Sequence, residues 1–232
     1  MRPVPHPEVG VRSTELPIPN ALQVVNISDL DPCPATTVTF SEVLERRRSV
    51  RTYGSLDAAD LAALLVMVFA LRGFALADDG AIRRFRPIPS AGGRHPLVPI
   101  VLVEDVVGLD RGLWRFDPDG QRLLQIHSSG QHLDTYWTRA CAAGEFAQRP
   151  PAVVVLAAKF DATLARYPMG STLVWRDAGV ALGSLHLTAG SLGLGSCILG
   201  TVGIFEDDVF VACGVRGNLV GDVGALAVGS NK

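Results

Sequence analysis

The sequence is poor in lysine and has no closely paired cysteines. Lysine occurs only at Lys159 and Lys232, although lysine and arginine together number 21 among the 232 residues. The four cysteines are widely spaced and form no C-x-x-C pair. This spacing argues against a zinc site or a disulfide framework, and it favours reduced thiols in a cytoplasmic protein without a bound metal.

The chain also lacks a large excess of positive or negative charge. The formal net charge is −2, so bulk charge cannot supply a surface for nucleic acid, and no nucleic-acid partner is expected. Hydrophobic residues make up 48% of the chain and charged residues only 19%. That composition supports a sizeable core and excludes disorder over most of the chain.

No segment predicts a signal peptide or a membrane span. The first 20 residues contain no apolar run of the signal-peptide kind. Residues 178–205 carry no charge and are long enough to cross a bilayer, which takes roughly 20 residues. However, they contain many glycine and hydroxyl residues. They therefore predict a helix buried in protein, followed by a Gly-rich loop.

Residues 1–38 predict a Pro-rich N-terminal arm, because nearly half of the 15 prolines lie there without hydrophobic periodicity. Residues 39–232 then form one domain. A helix begins at Thr39 or Ser41 and ends near Val50, and a second, buried helix begins at Ser55 or Asp57 and ends at Arg72. Residues 74–96 have the composition of a loop.

The rest of the chain mixes strands and helices without a regular βαβ alternation. The clearest local signal is the turn Asp117-Pro118-Asp119-Gly120, which predicts a β-hairpin of residues 112–117 and 121–127. Further strands are predicted at residues 98–103, 152–159 and 223–228, and helices at 131–148 and 173–194. This order favours an α+β fold with a mixed or antiparallel central sheet flanked by helices.

Three short motifs could carry chemistry. In the first, Arg47, Ser49 and Arg51 follow the spacing R-x-S-x-R at a helix end. Their guanidinium and hydroxyl groups could bind one phosphate together. The alternative is a solvated basic helix end. In the second, Pro89-Ser90-Ala91-Gly92-Gly93-Arg94-His95-Pro96 has small residues that allow a ligand to approach the backbone, or it is an ordinary turn.

The third motif, residues 193–200, is rich in glycine but lacks the lysine of a phosphate-binding P-loop. Residues 189–193 (AGSLG) miss the first glycine of the G-x-S-x-G nucleophile elbow, and they lie within a predicted helix rather than at a strand-to-helix turn. A serine hydrolase of the nucleophile-elbow kind is therefore rejected.

Together these segments resemble the nitroreductase superfamily, and within it the SagB-type azoline dehydrogenases that form thiazoles and oxazoles in modified peptides. The resemblance extends from about residue 15 to the C-terminus. R-S-x-R alone is a weak signal, whereas PSAGG-x-HP following it at this distance is quite specific. The matching segments are residues 47–53 (RRSVRTY), 89–96 (PSAGGRHP), 112–118 (GLWRFDP) and 177–200 (DAGVALGSLHLTAGSLGLGSCILG).

The resemblance implies FMN and assigns positions around it. Arg47, Ser49 and Arg51 match the positions that hold the FMN phosphate and ribityl chain. The loop of Pro89, Ser90, Ala91 and Gly92 matches the segment that lines the flavin, usually from the other subunit. Leu194, Gly195 and Ser196 match the segment whose backbone lies near the flavin N5 edge. The family fold is a homodimer with its sites at the interface.

The resemblance also implies a reaction. A hydride would pass from a carbon of an azoline ring to the flavin, and a base would take the ring proton. The family places a Lys-Tyr pair before the long helix, where this chain has Arg166-Tyr167. Because arginine stays protonated, Tyr167 is the candidate base and Arg166 the cation that lowers its pKa.

Other functions stay open. A nicotinamide-driven nitro- or quinone reductase would use the same flavin site on a small molecule, and a non-catalytic subunit of a peptide-modifying complex would explain the missing lysine. A cyclodehydratase is the partner that an azoline substrate implies, since it would make the ring that is oxidised.

Overall fold

The computed structural model describes residues 18–31, 37–76, 82–128, 131–200, 202–203, 207–215 and 219–231. Much of the predicted Pro-rich arm lies outside these ranges. The described part of the arm contains strand β1 (Gln23–Asn26) and a 3₁₀ turn (Ile27–Leu30), neither of which the sequence predicts. Strand β1 pairs with a strand of the predicted hairpin, so the arm is partly built into the main sheet.

The first two helices form where the sequence predicts them. Helix α1 (Phe40–Arg46) starts with a capping box, in which the Thr39 hydroxyl accepts from the Glu42 N–H and the Glu42 carboxylate accepts from the Thr39 N–H. It ends at Arg46 rather than near Val50. After β2 (Tyr53–Gly54) and β3 (Leu56–Asp57) comes the buried helix α2 (Ala58–Phe69), which ends three residues before the predicted Arg72.

The prediction of a loop over residues 74–96 is wrong in its first half. Strands β4 (Gly73–Leu76) and β5 (Ile82–Phe85) pair with each other as a separate antiparallel ribbon. Residues Ala91–Gly93 form a 3₁₀ turn inside the second motif. Four large apolar side chains of the ribbon are exposed: Phe74, Leu76, Ile82 and Phe85. The strands therefore lack the alternation of buried apolar and exposed polar residues by which a strand is predicted from sequence.

The middle of the chain follows the prediction closely. Strand β6 (Leu97–Val103) is fully buried, and a short β7 (Val106–Val107) follows. The predicted hairpin is confirmed as β8 (Gly112–Asp117) and β9 (Arg122–His127). Helix α3 (Gln131–Gly144) ends a few residues earlier than predicted, and strand β10 (Ala152–Lys159) has the predicted bounds.

The last third contains the long helix and a strand that the sequence did not predict. Helices α4 (Phe160–Leu164) and α5 (Ser171–Ser191) are followed by strand β11 (Leu194–Leu199) where a Gly-rich loop was expected. Helix α6 (Asp207–Ala212) and strand β12 (Val220–Asn231) complete the described chain. The terminal strand is therefore longer than the predicted residues 223–228.

An eight-stranded antiparallel sheet organises the fold in the order β1-β9-β8-β6-β10-β12-β11, with β2 paired to the end of β12. Alternate residues of β10 enter two cores on opposite faces of the sheet. Ala152, Val154 and Leu156 pack in the core that includes α2 and α5. Val153 and Val155 pack with α3 and α6. The α+β class with an antiparallel sheet between helices is thus confirmed.

None of the helices in the described ranges is long and apolar enough to cross a membrane. Helix α5 instead buries Val174, Ala181 and Leu185 against the sheet, and it leaves Trp175, Gly179 and Val180 exposed on its other side.

Candidate functional site: two clusters on the long helix

A pocket of about 240 Å³ lies where α1 ends beside the start of β11. The chain leaves α1 at Arg46 and runs extended to Val50, whose backbone N–H donates to the carbonyl oxygen of Ser196 at 2.9 Å. This contact fixes the arginine segment against β11. The pocket is lined by Val38, Val43, Arg46, Arg47, Arg48, Val50, His186, Gly190, Gly193, Leu194, Ser196 and Asn231. Three arginines on the wall of one pocket favour an anionic ligand.

The wall of this pocket contains a buried histidine. His186 Nε2 lies 3.2 Å from Arg47 Nη1, and His186 Nδ1 lies 2.7 Å from Ser196 Oγ. Burial lowers the pKa of His186 below its ordinary value, and the neighbouring Arg47 charge lowers it further. The imidazole is therefore neutral at physiological pH.

Only part of the predicted R-x-S-x-R motif reaches the pocket. Arg47 lines it, whereas Ser49 and Arg51 are not among the described lining residues. Arg51 Nε donates to the carbonyl oxygen of Gly144 at 3.0 Å, at the C-terminal end of α3. Arg46 and Arg48, which the motif spacing did not single out, take the other two basic positions.

The second motif forms a separate cluster on the N-terminal half of α5. Ser90 Oγ donates to Asp177 Oδ2 at 2.6 Å, and the Ala91 N–H points at both carboxylate oxygens at 3.2 and 3.3 Å. The Ser90 hydroxyl also accepts from the His95 N–H at 2.9 Å. Burial raises the pKa of Asp177, an effect that the Ser90 and Ala91 hydrogen bonds oppose. Asp177 thus ties this turn to the helix.

Tyr167 belongs to this second cluster. Its hydroxyl is so close to Gly92 that a Cβ on Gly92 would meet it at 2.6 Å. Gly92 has a φ of +62°, which favours glycine for a second reason. Pro89 is exposed at the start of the turn, and Arg166 and Tyr167 are both partly buried. The structure therefore brings Ser90, Ala91, Gly92 and Tyr167 together.

The two clusters do not meet within one chain. Asp177 and His186 are nine residues apart on α5, which places them about 13 Å apart along the axis and about half a turn around it. Leu194 and Ser196 lie with the first cluster. Gly195 lies in β11 under Val50, because a Cβ there would come within 2.9 Å of the Val50 side chain.

Sequence reasoning did not single out Asp177 or His186. Both lie inside helix α5 and within the matched segment 177–200, but none of the three motifs includes them. A signal was present nonetheless, since an ionisable side chain that is buried on an apolar helix needs a polar partner. Asp177 and His186 are the buried ionisable residues of α5, with 7% and 8% of their surface exposed.

Comparisons with known proteins agree with this fold. The sequence model described as "Nitroreductase family" matches residues 44–230. A protein of Methanocaldococcus jannaschii with the name "Putative nitroreductase MJ1384" is 32% identical over 174 residues, which are 74% of this chain and 81% of that protein.

Two solved structures share the fold at low sequence identity. A crystal structure of a "putative nitroreductase" from Anabaena variabilis has a TM-score of 0.62 and 19% identity, and the match covers 90% of this chain and 42% of the other. The chain thus spans less than half of that relative. A chain of the E. coli microcin synthetase McbBCD complex with truncated pro-MccB17 bound has a TM-score of 0.59 and 18% identity, covering 85% and 75%.

Proposed function

The chain belongs to the nitroreductase family, and we propose that it is an FMN-dependent oxidoreductase. The observation that carries the proposal is the pocket with Arg46, Arg47 and Arg48 on its wall. It lies at the segment that resembles the family's phosphate-binding motif. The specific reaction that we propose is the oxidation of azoline rings to thiazoles or oxazoles in a ribosomally made peptide.

The residues present fit FMN in charge and polarity. A phosphate monoester needs cationic and N–H donors, which the three arginines supply. A second cavity of about 390 Å³ shares Val38 and Val43 with the arginine pocket. Among the residues that the structure describes, its wall combines apolar side chains with three hydroxyls and no ionisable group, which suits a flat, uncharged ring system; these residues include Phe40, Met67, Ile88, Leu187, Ser184, Thr188 and Ser191.

In the proposed mechanism, FMN supplies the two-electron acceptor. Arg47 would hold the phosphate through charge-assisted hydrogen bonds. The Ser90–Gly92 turn, which Asp177 keeps in place, would line the flavin ring. Tyr167 takes the ring proton of the substrate as the general base, with the Arg166 charge beside it in sequence.

A site assembled from two subunits would reunite the two clusters. The Asp177 that holds the Ser90–Gly92 turn lies about 13 Å along α5 from the His186 of the arginine pocket, on another side of the helix. We therefore propose a homodimer in which one protomer provides the arginine pocket and the other provides the turn and Tyr167. Gly179 of α5 is exposed and Gly183 is partly buried, and an added Cβ at either would meet nothing within 4 Å, which leaves room for close packing of a second copy.

Flavin binding is tested with Arg47→Ala. Loss of a bond to a charged group is worth about 1.5–3 kcal/mol, so FMN affinity should fall about ten- to a hundredfold. Equilibrium dialysis against FMN measures it, with Arg83→Ala on the exposed strand β5 as the matched control. A wild-type protein that purifies colourless and is not stabilised by FMN would contradict the proposal and favour a non-catalytic subunit.

The azoline reaction is tested with Tyr167→Phe, which removes only a hydroxyl. General acid–base catalysis is typically worth 10²–10⁴-fold, so turnover should fall by about that factor while FMN content stays unchanged. Mass spectrometry follows the loss of two hydrogens from a thiazoline-bearing peptide. Activity within a factor of about three of wild type, far below that catalytic range, would remove Tyr167 from the mechanism.

A second candidate is a nicotinamide-driven nitro- or quinone reductase, which the name of the 32% identical relative favours. The two reactions differ in their electron donor. Rapid bleaching of the bound flavin by NADPH without any peptide would support the reductase. Bleaching by a thiazoline peptide alone, under anaerobic conditions, would support the dehydrogenase. The fold shared with a chain of the microcin synthetase complex is compatible with a peptide substrate and a cyclodehydratase partner.

A further inference from the structure

His186 joins two residues of the arginine pocket that are distant in sequence. Its ring lies between the guanidinium of Arg47 at 3.2 Å and the hydroxyl of Ser196 at 2.7 Å. The histidine is only 8% exposed and Ser196 only 3%. Arg47, in contrast, lies at the surface of the pocket. The buried His186 imidazole therefore contacts the exposed Arg47 guanidinium from the interior side of the pocket wall.

The hydrogen-bond chemistry fixes the tautomer of His186. A guanidinium can only donate, so Nε2 must accept from Arg47 and cannot carry a proton. The neutral ring then has its proton on Nδ1, and this N–H donates to Ser196 Oγ. Because the serine oxygen accepts from the ring, its own proton is left to be donated. In the described part of the chain that hydroxyl has no second protein partner.

We propose that His186 is a positioning residue of the pocket: it holds Arg47 ready for a phosphate group and turns the Ser196 hydroxyl into a donor for the bound ligand. The identity of that ligand as FMN rests on the proposed function. Arg47 gives one N–H to His186, and its other donors have no partner among the described residues. Fixing the long side chain before binding lowers the entropic cost of capturing the phosphate.

The same proton arrangement argues against a nucleophilic serine. A serine nucleophile needs a ring nitrogen that can accept its proton. Here Nδ1, the nitrogen next to Ser196, already carries a proton because Arg47 occupies Nε2. The depressed pKa of His186, caused first by burial and then by Arg47, agrees with a ring that stays neutral. The Ser196–His186 contact therefore orients a donor and does not activate an attacking oxygen.

Ligand discrimination tests the positioning role. His186→Phe keeps a planar ring and removes both nitrogens. Its affinity for FMN should fall about tenfold, while its affinity for riboflavin, which lacks the phosphate, should change less than about threefold. Adding Arg47→Ala to His186→Phe should weaken FMN binding much less than Arg47→Ala does in the wild type. Equal losses for FMN and riboflavin would overturn the proposal and show a structural role.

Nuclear magnetic resonance of the histidine side chains tests the geometry without any flavin. The five histidines can be resolved in a long-range ¹H–¹⁵N spectrum, and His186→Phe assigns the relevant signal. The wild type should show the Nδ1–H tautomer for His186, and Arg47→Ala should shift the population towards Nε2–H. A wild-type Nε2–H tautomer would overturn the proposal. If the Nδ1–H tautomer is present but neither flavin binds, the proposed FMN function fails instead.

Discussion

Gly92 and Gly93 are neighbours with nearly the same positive φ, yet only at Gly92 would an added Cβ meet Tyr167. Their φ angles are +62° and +63°, so alanine is strained at either position by roughly 1–2 kcal/mol. A Cβ would meet the Tyr167 hydroxyl at 2.6 Å from Gly92 and nothing within 4 Å from Gly93. The pair therefore separates backbone strain from displacement of the tyrosine.

We predict that Gly92→Ala displaces the Tyr167 ring and that Gly93→Ala does not. Both variants should lose thermal stability through backbone strain, and Gly92→Ala should lose more because its Cβ also displaces the Tyr167 ring. With only three tyrosines in the chain, ¹³C-labelled tyrosine gives an assignable ring signal for Tyr167. An unchanged Tyr167 signal in Gly92→Ala would contradict the contact. If Tyr167 is the base, turnover should fall in Gly92→Ala and persist in Gly93→Ala.

His95 should make the protein less stable as the pH falls. Burial lowers its pKa to about 4, with Arg86 adding to the effect, although the Nε2 contact to the Arg84 carbonyl at 2.9 Å favours the charged form. The unfolded value is about 6.5, so the neutral ring contributes stability that is complete above pH 6.5. That contribution is lost progressively between pH 6.5 and about 4.

The size of this effect can be measured by urea unfolding of the wild type and His95→Gln. The difference in unfolding free energy between them should shrink by roughly 2–4 kcal/mol from pH 7 to pH 4. Comparing the two proteins removes the contribution of the carboxylates, which titrate in both. A difference that does not change with pH would contradict a half-buried His95 that is neutral in the folded state.

The helices and strands that the sequence predicted are those defined by residues within or next to the element itself. The turn Asp117-Pro118-Asp119-Gly120 determines the β8–β9 hairpin by itself, and the apolar run of β10 is bounded by Pro151 and by the charged Lys159. Thr39 caps α1 through its own side chain. These signals lie within a few residues of the element that they define.

The missed elements depend on partners far along the chain. Strand β11 contains Gly195, and glycine disfavours strands on local grounds. It forms because β12 pairs along its whole length. Gly195 is needed there since Val50 packs over it. The same reason explains why the sequence predicted only part of the site. A short motif indicated Arg47, but the contact of Arg47 with His186 joins residues 139 positions apart and depends on the fold.

At the scale of elements, the testable prediction concerns the exposed side of helix α5. Gly179 is exposed, and a side chain there meets nothing within its own chain. Gly179→Leu should therefore leave the stability of the subunit unchanged or raise it by up to about 1 kcal/mol, because glycine is a poor helix former. In the proposed homodimer the same side chain would disrupt the packing of α5 against the second copy.

The measurement is the dimer dissociation constant by sedimentation or light scattering. We expect Gly179→Leu to raise it at least about tenfold, which corresponds to 1.4 kcal/mol. Ala142→Leu, on the exposed side of α3, is the matched control and should not change it. A dimer that tolerates Gly179→Leu would show that this face of α5 lies outside the interface.

For the whole molecule, the arrangement of the two clusters predicts complementation between damaged subunits. If one protomer supplies Arg47 and the other Tyr167, a dimer of one Arg47→Ala chain and one Tyr167→Phe chain carries both defects in one site and none in the other. Equal mixing should restore about a quarter of wild-type turnover, because half of the dimers are mixed and each has one intact site.

The matched control for complementation mixes Arg47→Ala with His186→Phe. These two residues touch within one chain, so every site of the mixed dimer keeps one defect and turnover should not recover. Both mixtures are assayed at an FMN concentration that saturates only the wild type, with loss of two hydrogens from a thiazoline peptide as the readout. Recovery in neither mixture would place Arg47 and Tyr167 in the same protomer's site. That result would require Tyr167 to lie at the arginine pocket of its own chain. The half-turn that separates the two clusters on helix α5 argues against such an arrangement.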